Sequence, residues 1–132
     1  MSGYVPRSTL QSMVYDWCVR AFGDNHARSI EQRGIRLAEE AIETAQAAGC
    51  QREMLHRLVD YVFDRPVGEL QQEIGGVGVT LLALSAAAAV DADYAERKEI
   101  TRVLSKPLEH FAARNAAKNA AGFDVLASED GL

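Results

Sequence analysis

The feature that most constrains this chain is a run of about 17 residues without charge, from Ile74 to Val90. The run is apolar on nearly every helical face, which is typical of a helix surrounded by protein. It falls short of the roughly 20 strongly apolar residues that cross a membrane, and it contains Gly, Thr and Ser. We therefore predict a buried helix and no membrane association. Because a chain of 132 residues has few helices to cover it, we also expect a homodimer or homotetramer.

Composition supports a small helical protein. About half of the residues are apolar (48%), alanine is abundant and aromatic residues are few, so closely packed helices are favoured over a sheet. The net charge of −5 argues against binding of polymeric nucleic acid, which demands a basic surface. No secretory signal is apparent. Cys18 and Cys50 lack histidines at ligand spacing, which indicates reduced thiols in a cytoplasmic protein.

Apolar spacing and turn residues place the helices. The first is expected around Leu10–Ala21, with Ser8 or Thr9 as its cap and a loop at Phe22–His26. A second long helix is expected at about 30–48, closed by Gly49, and a shorter one at 51–63 with Leu55, Leu58, Val59 and Val62 pointing inward. The third long helix is expected from 67 or 68 to about 90. The fourth is expected from an Asp91 to Asp93 cap to about 121, with a break at Lys106-Pro107. The fold class predicted is all-α, a bundle of four main helices forming one domain over residues 1–132. Residues 1–7 and about 124–132 are expected to be loose.

The second helix carries a group of acidic residues. Glu40 and Glu43 are three apart and share a helix face, and Glu39 lies four before Glu43. Like charges at these spacings repel, whereas a divalent cation such as Mg²⁺ would bind the carboxylates together. The alternative is an ordinary solvated face, because the three glutamates lie opposite the apolar stripe and Arg36 lies four before Glu40.

Glu73 stands at the entrance to the apolar run of the third helix. An ionised carboxylate there needs a partner, and a metal shared with Glu40 and Glu43 would provide one. The alternative is a helix-start glutamate favoured by the helix dipole, which explains Glu69 better than Glu73. Glycines at 75, 76 and 78 each cost about 1 kcal/mol relative to alanine in a helix. They indicate either close helix packing or room for a ligand.

These motifs resemble the MazG-like all-α nucleotide pyrophosphohydrolases. Glu-x-x-Glu is followed, about 30 residues later, by Glu-Ile-Gly-x-Val-x-Val-x-Leu-Leu-Ala-Leu. The likeness covers roughly residues 15–120 and includes Ala21-Phe22-Gly23. The segment Arg65-Pro66-Val67-Gly68-Glu69 resembles phage-type members. The resemblance implies an oligomeric helical fold. It also implies attack of water on a nucleoside triphosphate between the α and β phosphates, which releases a monophosphate and pyrophosphate.

The resemblance also implies a metal site. Family members hold Mg²⁺ with Glu-x-x-Glu and a later Glu-x-x-Asp, which places Glu40, Glu43 and Glu73 as ligands, with Mn²⁺ as a possible substitute. The family's aspartate falls on Gly76, which has no side-chain donor, so Glu69 or Glu39 is a candidate replacement. Glu40 (or Glu39) is the candidate base that takes a proton from water.

Substrate contacts are expected from the last helix and near the first. Family members often place Lys, Arg and Asn of the last helix on the triphosphate, which makes candidates of five residues: Lys106, Arg114, Asn115, Lys118 and Asn119. The alternative is a solvated basic helix end. Trp17 and His26 are candidates for contact with the base, although a tryptophan on an apolar stripe is more often part of the core.

Three interpretations of the chain follow. The first is a Mg²⁺-dependent nucleotide pyrophosphohydrolase. The second is a non-catalytic or degenerate helical module of the same fold that binds nucleotides or partners, its metal site weakened by Gly76. The third is an unrelated alanine-rich bundle whose glutamates are surface charge.

Overall fold

A computed structural model describes residues 3–126, and within that range the chain is helical along most of its length, without strands. Its elements are α1 (Arg7–Phe22), α2 (Asp24–Arg28), α3 (Ile30–Ala47), α4 (Arg52–Phe63), α5 (Leu70–Ala87), α6 (Ala92–Ser105), α7 (Leu108–Lys118) and a π-helical turn (Asn119–Phe123). The predicted all-α class is confirmed. The more specific expectation of a bundle of four main helices stays a prediction.

The start of α1 differs from the prediction. The helix begins at Arg7 after Pro6, which has a φ of −61° and makes no side-chain cap. Proline is well suited to a helix start, because its φ is already set and its missing N–H would have no partner there. Ser8 and Thr9 therefore lie inside the helix, and the prediction that either is the cap was wrong. The predicted loop at 22–26 was also wrong in part, because α2 begins at Asp24.

Local chemistry explains where the middle helices begin and end. Gly49, with a φ of 97°, follows α3 as expected, since glycine adopts the left-handed conformation without strain. The helix predicted from residue 67 or 68 to about 90 is α5. It begins later, at Leu70, and Glu69 is its cap. It also ends at Ala87 instead of Val90. The Asp91 side chain accepts a hydrogen bond from the Tyr94 N–H at 2.9 Å, which confirms Asp91 as the cap of α6.

The contacts of the chain divide it into two units, and the described part of the first comprises residues 3–41 and 103–126. Its buried apolar residues are Leu10, Cys18, Ala21, Ala27 and Phe111. Trp17 meets the Phe111 ring edge to face at 4.9 Å and the Phe22 ring at 5.2 Å. Aromatic pairs of this geometry stabilise a core. The structure therefore favours Trp17 as a core residue.

The second unit, Ile42–Arg102, is described throughout and contains no buried residue. In α4, the residues predicted to point inward include Leu58, Val59 and Val62, which are 52%, 51% and 47% exposed. The prediction that α5 is buried is likewise wrong for a single chain, because none of its residues is buried. In both helices the periodicity identified an apolar face that the described residues leave uncovered, and burial in an oligomer stays a prediction.

A buried glutamine fixes the chain after α7. Gln32 is fully buried; its Nε2 donates to the Phe123 carbonyl at 3.1 Å and its Oε1 accepts from the Val125 N–H at 3.0 Å. His26 Nε2 lies 3.1 Å from Asp124 Oδ1. The predicted loose tail at about 124–132 is thus held at its start, and residues 127–132 lie outside the described range.

A helix that spans a membrane must be both long and apolar. Between residues 3 and 126 no single helix meets both requirements, and only α5 and α6 taken together, bent by 107°, pass on length and composition.

Candidate functional site

Two helices of the first unit bring polar side chains together. Lys118 Nζ of α7 lies 2.6 Å from Glu39 Oε1 of α3. Arg36 Nη2 of α3 donates to Asn115 Oδ1 at 2.9 Å and to Asn119 Oδ1 at 3.3 Å. We call these five residues the α3–α7 polar cluster. The structure thereby brings three of the predicted substrate-binding residues onto the helix that carries the Glu-x-x-Glu motif.

Helical spacing explains how the α3–α7 polar cluster forms. Arg36 and Glu39 are three apart on α3, so they share a face. On the other side, Asn115 is followed by Lys118 and Asn119 at spacings of three and four, which places these side chains on one stripe. The segment after α7 continues as a π-helical turn until Gly122, whose φ of 99° ends it.

The electrostatics of this cluster centre on Arg36. Burial lowers the pKa of the Arg36 guanidinium, and nearby Arg33 acts in the same direction, whereas the carboxylates of Glu39 and Asp124 oppose the shift. A guanidinium keeps its charge even with a lowered pKa, because its ordinary value is far above neutrality. Arg36 is therefore a partly desolvated cation, and its attraction for an anion is stronger than that of a fully hydrated cation.

The cluster remains open to solvent. The Lys118 and Glu39 side chains are 30% and 33% exposed, so an incoming ligand can reach both. Asn115 and Asn119 present their oxygens to Arg36, which leaves their NH₂ groups oriented as donors to another acceptor. An arrangement of two cations and two amides can bind the oxygens of a phosphate group.

The predicted metal ligands lie on α3 and α5. Glu40 and Glu43 are exposed and about one helical turn apart on α3. Glu73 lies in the first turn of α5, and its carboxylate folds back over Gly68, where an added Cβ would meet it. Carboxylate oxygens fit the ligand preference of Mg²⁺. In the part of one chain spanning residues 3–126, no three acidic, histidine or cysteine side chains form a group that could hold a metal ion. The ligand set stays a prediction.

The two candidates for the missing ligand are engaged elsewhere. Glu69 caps α5, where its carboxylate oxygens accept from the N–H groups of Gln71 at 3.1 Å and Gln72 at 2.9 Å. Glu39 is paired with Lys118. These contacts favour a structural role for Glu69 and a place in the α3–α7 polar cluster for Glu39.

The glycines of α5 have open space beside them. A Cβ added at Gly75, Gly76 or Gly78 would meet nothing within 4 Å. Close packing of another helix, one of the two explanations predicted for these glycines, is therefore not made within the chain. At Gly76 the open space means that a longer side chain fits without a clash.

The other predicted substrate-binding residues are distributed differently. His26 contacts Asp124, whose charge also acts on Arg36, so His26 lies at the border of the cluster. Arg114 is exposed and Lys106 is half-buried. Trp17 packs in the aromatic core, although no described residue accepts a hydrogen bond from its buried Nε1–H.

Arg36 is the residue of the cluster that sequence reasoning missed as a ligand-binding candidate. Its position four before Glu40 suggested an ordinary surface ion pair within one helix. The signal that could have identified it is the repeat of asparagines four apart on the last helix, since two amides on one stripe match one guanidinium.

Comparison with family models, with curated proteins and with solved structures finds no match for this chain. The likeness to MazG-like proteins consequently rests on the ordered motifs alone.

Proposed function

We propose that this protein is a Mg²⁺-dependent nucleoside triphosphate pyrophosphohydrolase that releases a nucleoside monophosphate and pyrophosphate. The observation that supports this best is the α3–α7 polar cluster. Its cations and amides lie beside Glu39, which is the first residue of the acidic segment 39–43 of α3. Cations that bind phosphate beside carboxylates that bind metal and activate water are the two parts that hydrolysis of a phosphoanhydride requires.

The chain's own residues would bind and orient the substrate. Arg36 and Lys118 would neutralise phosphate oxygens, and the amides of Asn115 and Asn119 would donate to them. Lys118 would exchange its ion pair with Glu39 for one with phosphate. Glu40 would take the proton as water oxygen bonds to the α phosphorus and the bond to the bridging oxygen breaks. The released carboxylate of Glu39 is the alternative base.

The proposal includes a metal site made by Glu40, Glu43 and Glu73 in the assembled homo-oligomer. Mg²⁺ bound there would spread the charge that develops on the phosphate oxygens and lower the pKa of a bound water. Three carboxylates are sufficient, because Mg²⁺ usually keeps several waters and accepts phosphate oxygens as further ligands. Cytoplasmic location belongs to the same proposal.

The decisive experiment is a nucleotide panel with Mg²⁺ or Mn²⁺ in which pyrophosphate and phosphate are measured separately. We expect pyrophosphate release, lost in Glu40→Gln and in Glu73→Gln while helicity by circular dichroism is unchanged. Glu31→Gln, an exposed glutamate in the first turn of the same helix α3, is the matched control and should retain activity. Unchanged turnover in both site variants would remove these carboxylates from the reaction.

A second candidate function is a non-catalytic nucleotide-binding module of the same fold. Gly76 supplies no donor, and Glu39 and Glu69 are otherwise engaged, which favours this alternative. Binding of a non-hydrolysable nucleotide would then raise the melting temperature without any turnover in the panel. Gly76→Asp distinguishes the two cases, since it should raise metal affinity if the site lacks only this ligand.

A further inference from the structure

The segment that follows α7 is anchored to α3 close to the α3–α7 polar cluster. Gln32 is fully buried and binds the backbone on both sides of Asp124. Arg36 lies one helical turn further along α3 and contacts Asn119, which begins the π-helical turn. The backbone that carries Asp124 is therefore fixed about one turn of α3 away from Arg36.

The carboxylate of Asp124 is itself held in place. Its Oδ1 lies 3.1 Å from His26 Nε2 and accepts a hydrogen bond from the Leu126 N–H at 3.0 Å. The side chain of Asp124 is 15% exposed, so water screens its charge only weakly. A carboxylate in such surroundings requires a compensating cation, and a histidine provides one only when it is protonated.

Arg36 is the permanent cation near this carboxylate. Burial lowers the pKa of the Arg36 guanidinium, and the carboxylates of Glu39 and Asp124 oppose that shift, whereas nearby Arg33 adds to it. Arg36 thus interacts with two carboxylates from different elements, one on α3 and one that follows the π-helical turn. Its remaining contacts are the amide oxygens of the α3–α7 polar cluster.

These two carboxylates affect an incoming anion differently. A carboxylate near a cation reduces the attraction of that cation for any further anion. Glu39 is 33% exposed and is held by Lys118, so it can rotate into solvent when a phosphate group takes its place. The backbone beside Asp124 is clamped by Gln32 on both sides. The repulsion from Asp124 therefore persists unless the segment itself moves.

We propose that Asp124 is a built-in competitor of phosphate ligands at the α3–α7 polar cluster. Its carboxylate provides Arg36 with the negative charge that a bound phosphate group would replace, so ligand binding and the attachment of this segment oppose each other. The inference rests on the proposed function, in which the phosphate group belongs to the nucleotide or to the pyrophosphate product. The role of Asp124 is then to weaken retention of product.

Asp124→Asn tests the competition with little change in geometry, because the amide oxygen can still accept from His26 and from the Leu126 N–H. Binding of inorganic pyrophosphate would be measured by isothermal titration calorimetry in the presence of a chelator, so that neither metal nor turnover is involved. We expect the affinity to rise about fivefold or more, because one negative charge is removed at short range. Unchanged or weaker binding would overturn the proposal, as would an absence of binding to both proteins.

Two further variants serve as controls. Glu31→Gln makes the same change in net charge at an exposed position of α3, about 140° around the helix from Arg36. It should alter the affinity by less than about twofold, and a gain equal to that of Asp124→Asn would indicate a general effect of net charge. In an Arg36→Gln background, Asp124→Asn should give no gain, because the cation under competition is absent. A gain retained in that background would contradict the proposal.

The native protein provides a test that requires no variant to fold. Amide exchange at Leu126, whose N–H donates to Asp124, would be followed with and without saturating pyrophosphate. Because the coupling is reciprocal, pyrophosphate should favour release of Asp124 by the same factor and accelerate this exchange about fivefold. Slower or unchanged exchange would overturn the proposal. Nucleotide hydrolysis by a protein that shows neither effect would leave the proposed function intact and remove only the role of Asp124.

Discussion

The two units of this chain have similar helices but very different interiors. Residues 3–41 with 103–126 contain every buried residue, including the edge-to-face contact of Trp17 with Phe111. Residues 42–102 contain none, although α5 is the most apolar helix of the chain. The first unit therefore has a core of its own within one chain. The second unit, by contrast, exposes its apolar helix faces and contains no buried core.

The largest change in stability that tests this difference is expected from a comparison of one phenylalanine from each unit. Phe111 is 7% exposed and Phe63 is 82% exposed. Phe111→Ala should lower the free energy of unfolding by about 3–5 kcal/mol, because it leaves a cavity beside Trp17. Phe63→Ala should change it by no more than about 0.5 kcal/mol. Urea unfolding monitored by circular dichroism measures both. Equal losses would show that the second unit buries Phe63 in solution and that the contrast between the units is smaller than the single chain indicates.

A smaller loss of stability is expected when the polar contact between Gln32 and residues 123–125 is removed. Gln32→Ala leaves the Phe123 carbonyl and the Val125 N–H without their partner, which should cost about 2 kcal/mol. Amide exchange at Val125 should accelerate in the same variant. Gln46→Ala, at an exposed position of the same helix, is the control and should leave both quantities nearly unchanged. Unaltered exchange at Val125 would mean that Gln32 does not hold this segment.

Sequence reasoning predicted the helices well and their surroundings poorly. The C-terminal end of α3 and the start of α6 follow from Gly49 and Asp91, whose effects are local. The inward positions of α4 and α5 could not be placed, because periodicity identifies an apolar face without identifying what covers it.

The candidate site was predictable to a similar degree. The residue types on α7 were visible in the sequence, and the resemblance assigned Asn115, Lys118 and Asn119 to the substrate. Their meeting with Arg36 and Glu39 depends on contacts between residues 79 or more positions apart, which no local pattern encodes. Glu69 shows the opposite case, since its cap contacts span only two and three residues and the preference for a helix start was recognised in advance.

The cap of α5 in the second unit should contribute less, about 1 kcal/mol of the free energy of unfolding. Glu69→Ala removes the acceptor for two N–H groups at the start of α5 and should lower the free energy of unfolding by about that amount. Glu69→Ser keeps a cap and should restore most of the loss, which a metal-binding role for this carboxylate would not allow. Thermal unfolding in the presence of a chelator separates the two roles. A loss equal in both variants would argue against capping.

The smallest effect concerns the two cysteines, one in each unit. Cys50 is exposed and Cys18 is buried. Burial raises the pKa of the Cys18 thiol, and the guanidinium of Arg33, 4.0 Å away, only partly offsets this. The stability that this raised pKa confers is present below the thiol's unfolded value of about 8.5 and is lost as the pH rises through the folded value. Cys18→Ala should therefore reduce the decline in stability above that pH, while Cys50→Ala should not.

Under native conditions a thiol reagent should modify Cys50 at once and Cys18 only as the first unit opens. Equal rates of modification would show that the core around Cys18 is as accessible as the second unit, and the distinction between the two units would no longer hold.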